Sequence, residues 1–165
     1  MKTVDYDFNA QKNLQILKQG AFLTSQHGGA LNVMTIAWGS IGIMWGRPVF
    51  TALVRKSRFT HGLIEASGAF CVSFPYENMA RALAYCGRTS GREADKIQTL
   101  GLKTISDENL AVPILDLRGM HLQCLVLYKQ DMKAQHLDKI MRETWYHEED
   151  YHTLYFAEIT KAVLL

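Results

Sequence analysis

The sequence predicts a mainly β protein with peripheral helices, arranged as an antiparallel barrel. Short apolar runs bounded by Gly, Pro and Asn/Asp turn residues dominate both ends of the chain. Helical periodicities gather in the middle, with one more near the end, and regular strand–helix alternation of the parallel-sheet kind is absent. The length of 165 residues is that of one domain, 1–165, able to bury a core without staples.

Residues 1–20 read as an N-terminal arm, its first half lying on the body through Tyr6 and Phe8. Ala21–Ser25 is a first strand ending in the turn Gln26–Gly29, and Leu31–Trp38 is a second. In that second strand Val33, Thr35 and Ala37 share one side and Met34, Ile36 and Trp38 the other, so both faces are covered. Ile43-Met44-Trp45, between glycines, reads as a connector held down by its large side chains. Val49–Val54 is a third strand. Ser57 is placed to cap a short helix stopped by Gly68, and Ala69–Phe74 is a fourth strand with an almost continuous apolar run.

Glu77–Cys86 has helical spacing with Gly87 as its stop, and Ser90-x-x-Glu93 forms a capping box for another helix closed by Gly101. Asp107–Gly119 is loop-like. Met120–Tyr128 is a long strand, Gln135–Trp145 a helix and His147–His152 an acidic turn. Thr153–Val163 closes the chain as a strand that can turn Leu154, Phe156, Ile159 and Val163 inward with one register change.

A formal charge of +2 is too small to indicate a nucleic-acid binder. Cys71, Cys86 and Cys124 are odd in number and lack metal-ligand spacing, so they are expected as reduced thiols of an intracellular, cytoplasmic protein. No run approaches the roughly 20 apolar residues of a membrane span, and no membrane association is expected.

The functional signal lies in two basic corners. Arg55-Lys56-Ser57-Arg58-Phe59-Thr60 carries a strand into a helix start, where free N–H groups, cations and two hydroxyls make a phosphate cradle. Cys86–Lys96 repeats the arrangement with Arg88, Arg92 and Lys96. A solvated turn with an ordinary serine cap is the competing reading of the first, and a structural corner that of the second. Cys86 is either a thiolate stabilised by these cations or a buried thiol. His147 and His152 are five residues apart, on different faces of a helix or strand, which argues against a shared metal. G-x-G-x-x-G, Walker A, H-E-x-x-H and G-x-S-x-G motifs are all missing.

Four segments in order carry a family resemblance: Asn32-Val33-Met34-Thr35-Ile36-Ala37-Trp38; Arg55–Thr60; Tyr85-Cys86-Gly87-Arg88-Thr89-Ser90-Gly91-Arg92 with Asp95-Lys96; and Asp150-Tyr151-His152-Thr153 ahead of Tyr155–Ile159. Together, from about Ala21 to Val163, they resemble the flavin reductase-like, FMN-binding split-barrel family and its flavoredoxin group. The resemblance implies an antiparallel split β-barrel and a homodimer with FMN near the interface. It implies that Met34, Thr35, Ile36, Ala37 and Trp38 line the isoalloxazine. Arg55, Lys56, Ser57, Arg58 and Thr60 would hold the phosphate, and Cys86, Gly87, Ser90, Gly91 and Lys96 would close over ribityl or phosphate oxygens. His152 would stand near the flavin face or interface, the one side chain with a possible catalytic part. Ala157 departs from the family, many of whose members carry glycine there.

Because flavin performs the redox step itself, no acid–base dyad is required, and Thr35 and Ser40 suffice as ring partners. Trp38 and Trp45 either narrow the cavity or serve the core. Three activities stay open: a flavin reductase using NADH or NADPH, a flavoredoxin-like carrier reduced by a redox protein, and a cofactor-free barrel for ligand binding or assembly.

Overall fold

Alternating side-chain direction along each strand sets the architecture, because one face of every long strand is apolar. The computed structural model describes all residues, Met1 to Leu165. In order, the elements are β1 (Lys2–Val4), α1 (Ala10–Gln19), β2 (Ala21–His27), β3 (Ala30–Ile36), β4 (Gly39–Met44) and β5 (Arg47–Arg55). There follow α2 (Phe59–Ser67), β6 (Ala69–Pro75), α3 (Ala80–Arg88), α4 (Lys96–Thr99), β7 (Thr104–Ile105) and β8 (Ile114–Leu115). The chain ends with β9 (Gly119–Asp131), a 3-10 turn at Ala134–His136, α5 (Lys139–Trp145) and β10 (His152–Leu164).

All main-sheet pairings are antiparallel, in the order β3-β2-β6-β9-β10-β5-β4, with β1 added to the far end of β10. The edges β3 and β4 are not hydrogen-bonded to each other, yet only Ala37 and Trp38 separate them in the chain. The sheet therefore curls until its edges meet. This is a split barrel, as the sequence predicts.

Phe70, Val72 and Phe74 of β6, with Leu23, Phe50, Met120, Leu122 and Tyr155, fill the barrel, all at most 1% exposed. The other face of β6 is also covered, which explains its continuous apolar run. Ala69 and Cys71 meet Val112, Ile114 and Val163, while Phe22 and Val33 lie beneath Ala82 and Cys86 of α3. Thus Asp107–Gly119, read as loop, supplies this cover through buried Val112, Ile114, Leu115 and Leu117 beside the small ladder β7–β8, while Asp107–Asn109 stay exposed. Two two-residue hairpins use left-handed backbone: Gly28-Gly29 joins β2 to β3, and Trp45-Gly46 joins β4 to β5 with φ of 52° and 71°.

Several local expectations are corrected. The arm contains α1, whose polar sequence and Asn9 start, without a side-chain cap bond, hide its period. Asn13 holds α1 down: its amide donates to Phe8 O (2.9 Å), and its Oδ1 accepts from Tyr76 (2.9 Å). Ile43 and Trp45 are about three-fifths exposed (59% and 60%) on a hairpin tip and are not held down. Gly87 lies inside α3, because the helix continues to Arg88. No helix starts at Ser90. Instead Asp95 caps the short α4, accepting from Gln98 N at 3.0 Å.

The helix read over Gln135–Trp145 is broken at Leu137 and restarts under an Asp138 cap, leaving Ile140, Met141 and Trp145 exposed. In β10 the residues facing the barrel core are Tyr155, Ala157, Ile159 and Ala162, while Val163 is buried on the other face, and the pairing with β9 shifts register at Phe156/Ala157 and Ile159/Lys161. Leu154 and Phe156 point outward, because unbroken alternation from Leu154 to Ile159 sets them opposite Tyr155, Ala157 and Ile159, and the phase of β10 changes only after Ile159, at the extra residue Thr160.

His121 gives this core a pH dependence. It is fully buried, with Nδ1 2.8 Å from Ser73 Oγ and Nε2 3.2 Å from Leu117 O, and burial depresses its pKa to about 4. Above pH ~6.5 the folded and unfolded forms are both neutral at this residue; below it the unfolded chain takes up the proton first. Chemical denaturation should show stability falling by about 3 kcal/mol from this residue between pH ~6.5 and ~4, and His121→Gln should flatten that part of the slope.

Candidate functional site

The seam where β3 and β4 approach carries two adjoining cavities. The first, about 180 Å³, is lined by Met34, Thr35, Ile36, Ala37 and Trp38 from the end of β3, Leu53 and Arg55 from β5, Arg58, Trp145 and His152. The second, about 80 Å³, is lined by Asn32, Met34, Ser57, Arg58, Phe59, Thr60, Cys86, Arg88, Thr89, Ser90, Gly91 and Lys96. Met34 and Arg58 belong to both. An apolar cleft therefore leads into a basic, hydroxyl-lined one.

In the first cavity Trp38 makes an edge contact with Trp145, ring centroids 5.0 Å apart, and lies 5.1 Å from the His152 ring. His152 Nδ1 is 2.8 Å from Tyr146 Oη, and burial beside Arg55 lowers its pKa to about 4, so the imidazole is neutral at pH 7. It can therefore exchange hydrogen bonds but carries no charge. Thr35 faces outward and donates to Leu83 O at 2.7 Å, so its hydroxyl already has a partner.

The second cavity is built around Lys96. Lys96 is only 3% exposed, the one protein acceptor of its ammonium is the Cys86 carbonyl at 3.3 Å, and no carboxylate pairs with it. Desolvation lowers its pKa, with Arg58 adding a smaller push in the same direction. A buried cation without a counterion costs several kcal/mol. An anion in the cavity would offset that cost.

The walls are held rigidly. Asn32 donates to Thr60 Oγ1 at 2.7 Å, Arg58 Nη1 to Gly87 O at 2.9 Å, and Arg92 Nη1 to Ser57 O at 2.9 Å. Gly91 sits so close to Asn32 and the Phe59 ring that any Cβ there would collide with both. The turn Arg88–Asp95 can therefore fold down over the start of α2 only with glycine at that position.

Most sequence-predicted residues come together here, with three differences of detail and one open alternative decided. Ser57 does not cap α2, whose N-cap residue is Arg58; its hydroxyl instead donates to Asp150 Oδ2 at 2.6 Å. Lys56 lines neither cavity and pairs with Asp131 at 2.6 Å. Gly87 contributes a carbonyl to Arg58 and lies outside both linings. The Cys86 thiol is buried and pushed up to about 11, which supports the buried-thiol reading over a low-pKa nucleophile.

Sequence reasoning missed Leu53, Trp145 and Asp150. Leu53 was readable only as an alternate position of β5, and Trp145 as a core position of a helix whose apolar face in fact lies open. All three cysteines are free and buried, and no group of three His, Cys, Asp or Glu side chains comes together. No helix is long and apolar enough to cross a membrane.

Comparison with solved structures defines the class first. Flavoredoxin from Methanosarcina acetivorans superposes with a TM-score of 0.70 at 23% identity, covering 88% of this chain and 68% of that one. Flavoredoxin of Desulfovibrio vulgaris (Miyazaki F) gives 0.69 at 21% identity over 88% and 69%. The Streptomyces globisporus C-1027 NADH:FAD oxidoreductase gives 0.65 at 16% identity over 100% and 88%. These likenesses establish the split-barrel fold.

The chain belongs to the flavin reductase-like domain family, whose model matches residues 17–164. A curated protein of uncharacterised function from Archaeoglobus fulgidus is 27% identical over 96 residues, 58% of this chain and 54% of that protein. The match thus spans about half the length of that relative.

The uncompensated ammonium gives a direct test of the second cavity. Lys96→Met should raise the thermal stability of the cofactor-free protein, by about 1–4 kcal/mol if it behaves like other apolar replacements of buried charge. Inorganic phosphate should raise the melting temperature of the parent protein and have no such effect on the variant.

Proposed function

We propose that this chain is an FMN-binding oxidoreductase of the flavin reductase type, and the observation that carries the reading is Lys96, buried in a cavity that opens beside an aromatic-walled cleft. A phosphate monoester brings about −1.5 to −2 charges at pH 7 and three acceptor oxygens. Lys96, Arg58 and the hydroxyls of Ser90 and Ser57 are donors suited to it, and the first N–H groups of the nine-residue α2 add to them. Thr60 supports this wall through Asn32.

The isoalloxazine would lie along Met34–Trp38, whose backbone serves its polar edge, with Trp38 and neutral His152 beside it. Bound flavin supplies the hydride- and electron-accepting centre. The chain's part is to hold the phosphate, orient the ring and keep one face reachable.

A homodimer belongs to the same proposal. The ring cleft is smaller than the ~300–1,000 Å³ of a typical ligand pocket, so it encloses a tricyclic ring on one side only. Its wall residue Leu53 pairs across the sheet with outward Leu154, and the same outer face continues through Phe156 and Tyr128 to Trp45. Leu125, Leu127, Tyr128, Ile43 and Trp45 are 40% to 60% exposed there. A second copy seated on this apolar face would cover it and close the ring cleft.

NADH or NADPH is the proposed electron donor. The Streptomyces globisporus oxidoreductase solved with NAD and FAD fragments supports this, at 17% identity and a TM-score of 0.67 over 100% of this chain and 87% of that one. The two flavoredoxin likenesses favour a second reading, an FMN carrier reduced by a redox protein. Anaerobic mixing with NADH or NADPH separates them: rapid bleaching of the flavin spectrum supports the reductase, and bleaching only by a redox protein supports the carrier.

Titration with FMN should quench flavin fluorescence. Arg58→Ala and Lys96→Met should each weaken binding by about 1.5–3 kcal/mol, the worth of a charge-assisted hydrogen bond. Lys56→Ala, which breaks only the exposed pair with Asp131, should change it by less than ~1 kcal/mol. Absence of any FMN-dependent change in the parent protein would refute the function.

A further inference from the structure

The segment from Met132 to Tyr151, between β9 and β10, is attached to the barrel in an unusual way. Its helix α5 has no buried residue, so core packing does not hold it. Besides the Trp38–Trp145 contact and the hydrogen bond of buried Tyr146 to His152, it is held by two side chains of the first basic corner. Arg55 donates from Nη1 to Asp150 O (2.5 Å) and from Nη2 to Trp145 O (2.9 Å), and its guanidinium lies over the Tyr146 ring at 5.1 Å. Ser57 donates its hydroxyl to Asp150 Oδ2 (2.6 Å) and its backbone N–H to Asp150 Oδ1 (3.3 Å). The Asp150 carboxylate is also 4.0 Å from Arg55 Nη1. An internal carboxylate thus occupies donors of the corner that the sequence marks as a phosphate cradle.

Resting on the flavin reading above, we propose that Asp150 competes internally with the cofactor's phosphate and so sets how strongly the site prefers phosphorylated over unphosphorylated flavin. Ser57 lines the Lys96 cavity and directly precedes Arg58, the cation common to both cavities. A dianion entering beside Lys96 and Arg58 meets the Asp150 carboxylate on the neighbouring residue. If Asp150 stays, the like charges repel. If it leaves, Ser57 Oγ and N–H are freed for phosphate, but the segment loses a latch.

Both routes weaken FMN binding. Neither touches riboflavin, whose ribityl chain ends in a neutral hydroxyl. Release of Asp150 would also loosen the carbonyl contacts of Arg55, and with them Trp145, which forms one wall of the ring cleft. Phosphate capture and opening of the ring cleft are thereby linked, and FMN is held less tightly than the cations alone would allow.

The test compares the full-length parent protein with Asp150→Asn, which keeps shape and an acceptor for Ser57 N–H while removing the charge. Dissociation constants for FMN and riboflavin are read by fluorescence quenching. The proposal expects FMN affinity to rise by about tenfold in the variant and riboflavin affinity to stay within about twofold. An unchanged FMN-to-riboflavin ratio, or a fall in FMN affinity, overturns it while leaving the flavin reading intact; failure of both flavins to bind the parent protein overturns both.

Discussion

Two residues impose the shape of this molecule. Ala37 and Trp38 must carry the chain from one edge strand of a long antiparallel sheet to the other. Three Cα steps of about 3.8 Å span at most about 11 Å, so the edges are brought together whatever the strands between them prefer. Strand twist and the two bulges in the β9–β10 pairing make the necessary curvature inexpensive. The unpaired seam between the edges follows from that constraint, and both cavities open along it.

The electrostatics of the seam divide its cations by task. Lys56 and Arg47 form exposed ion pairs with Asp131 and Glu158, which contribute little to stability. Arg58 and Arg92 fasten the turn Arg88–Asp95 to the start of α2 through backbone carbonyls. Lys96 alone is buried without an anion, so the fold carries an unfavourable charge that a ligand can neutralise. Beside it, burial keeps His152 neutral in the ring cleft. The adjacency of an electron-deficient, anion-seeking pocket and a flat aromatic wall suits a molecule with a phosphate at one end and a planar ring at the other.

Much of this was legible in the sequence. Apolar runs located the central strands, among them the almost continuous run of β6, and the ordered motifs named Met34–Trp38, Arg58, Lys96 and His152, which line the two adjoining cavities. What could not be read depends on contacts distant in the chain. Whether Ser57 caps a helix or binds a carboxylate depends on Asp150, far away in sequence, and both choices satisfy the same hydroxyl. Whether Lys56 faces a cavity depends on Asp131 across the sheet. The outward turn of Leu154 and Phe156 depends on which face of β10 its neighbours β5 and β9 turn to the core, and apolar residues on both faces fit either phase. The exposed apolar faces of α5 and the β4–β5 hairpin read as core because periodicity marks a face but not its partner.

The account stands on the claim that the charge buried at Lys96 exists to meet a phosphate. Diffraction from crystals grown with FMN measures this most directly. The account predicts phosphate oxygens within hydrogen-bonding distance of Lys96 Nζ and Arg58, with the ring along Met34–Trp38. Flavin bound elsewhere, with Lys96 still facing only the Cys86 carbonyl, would contradict it.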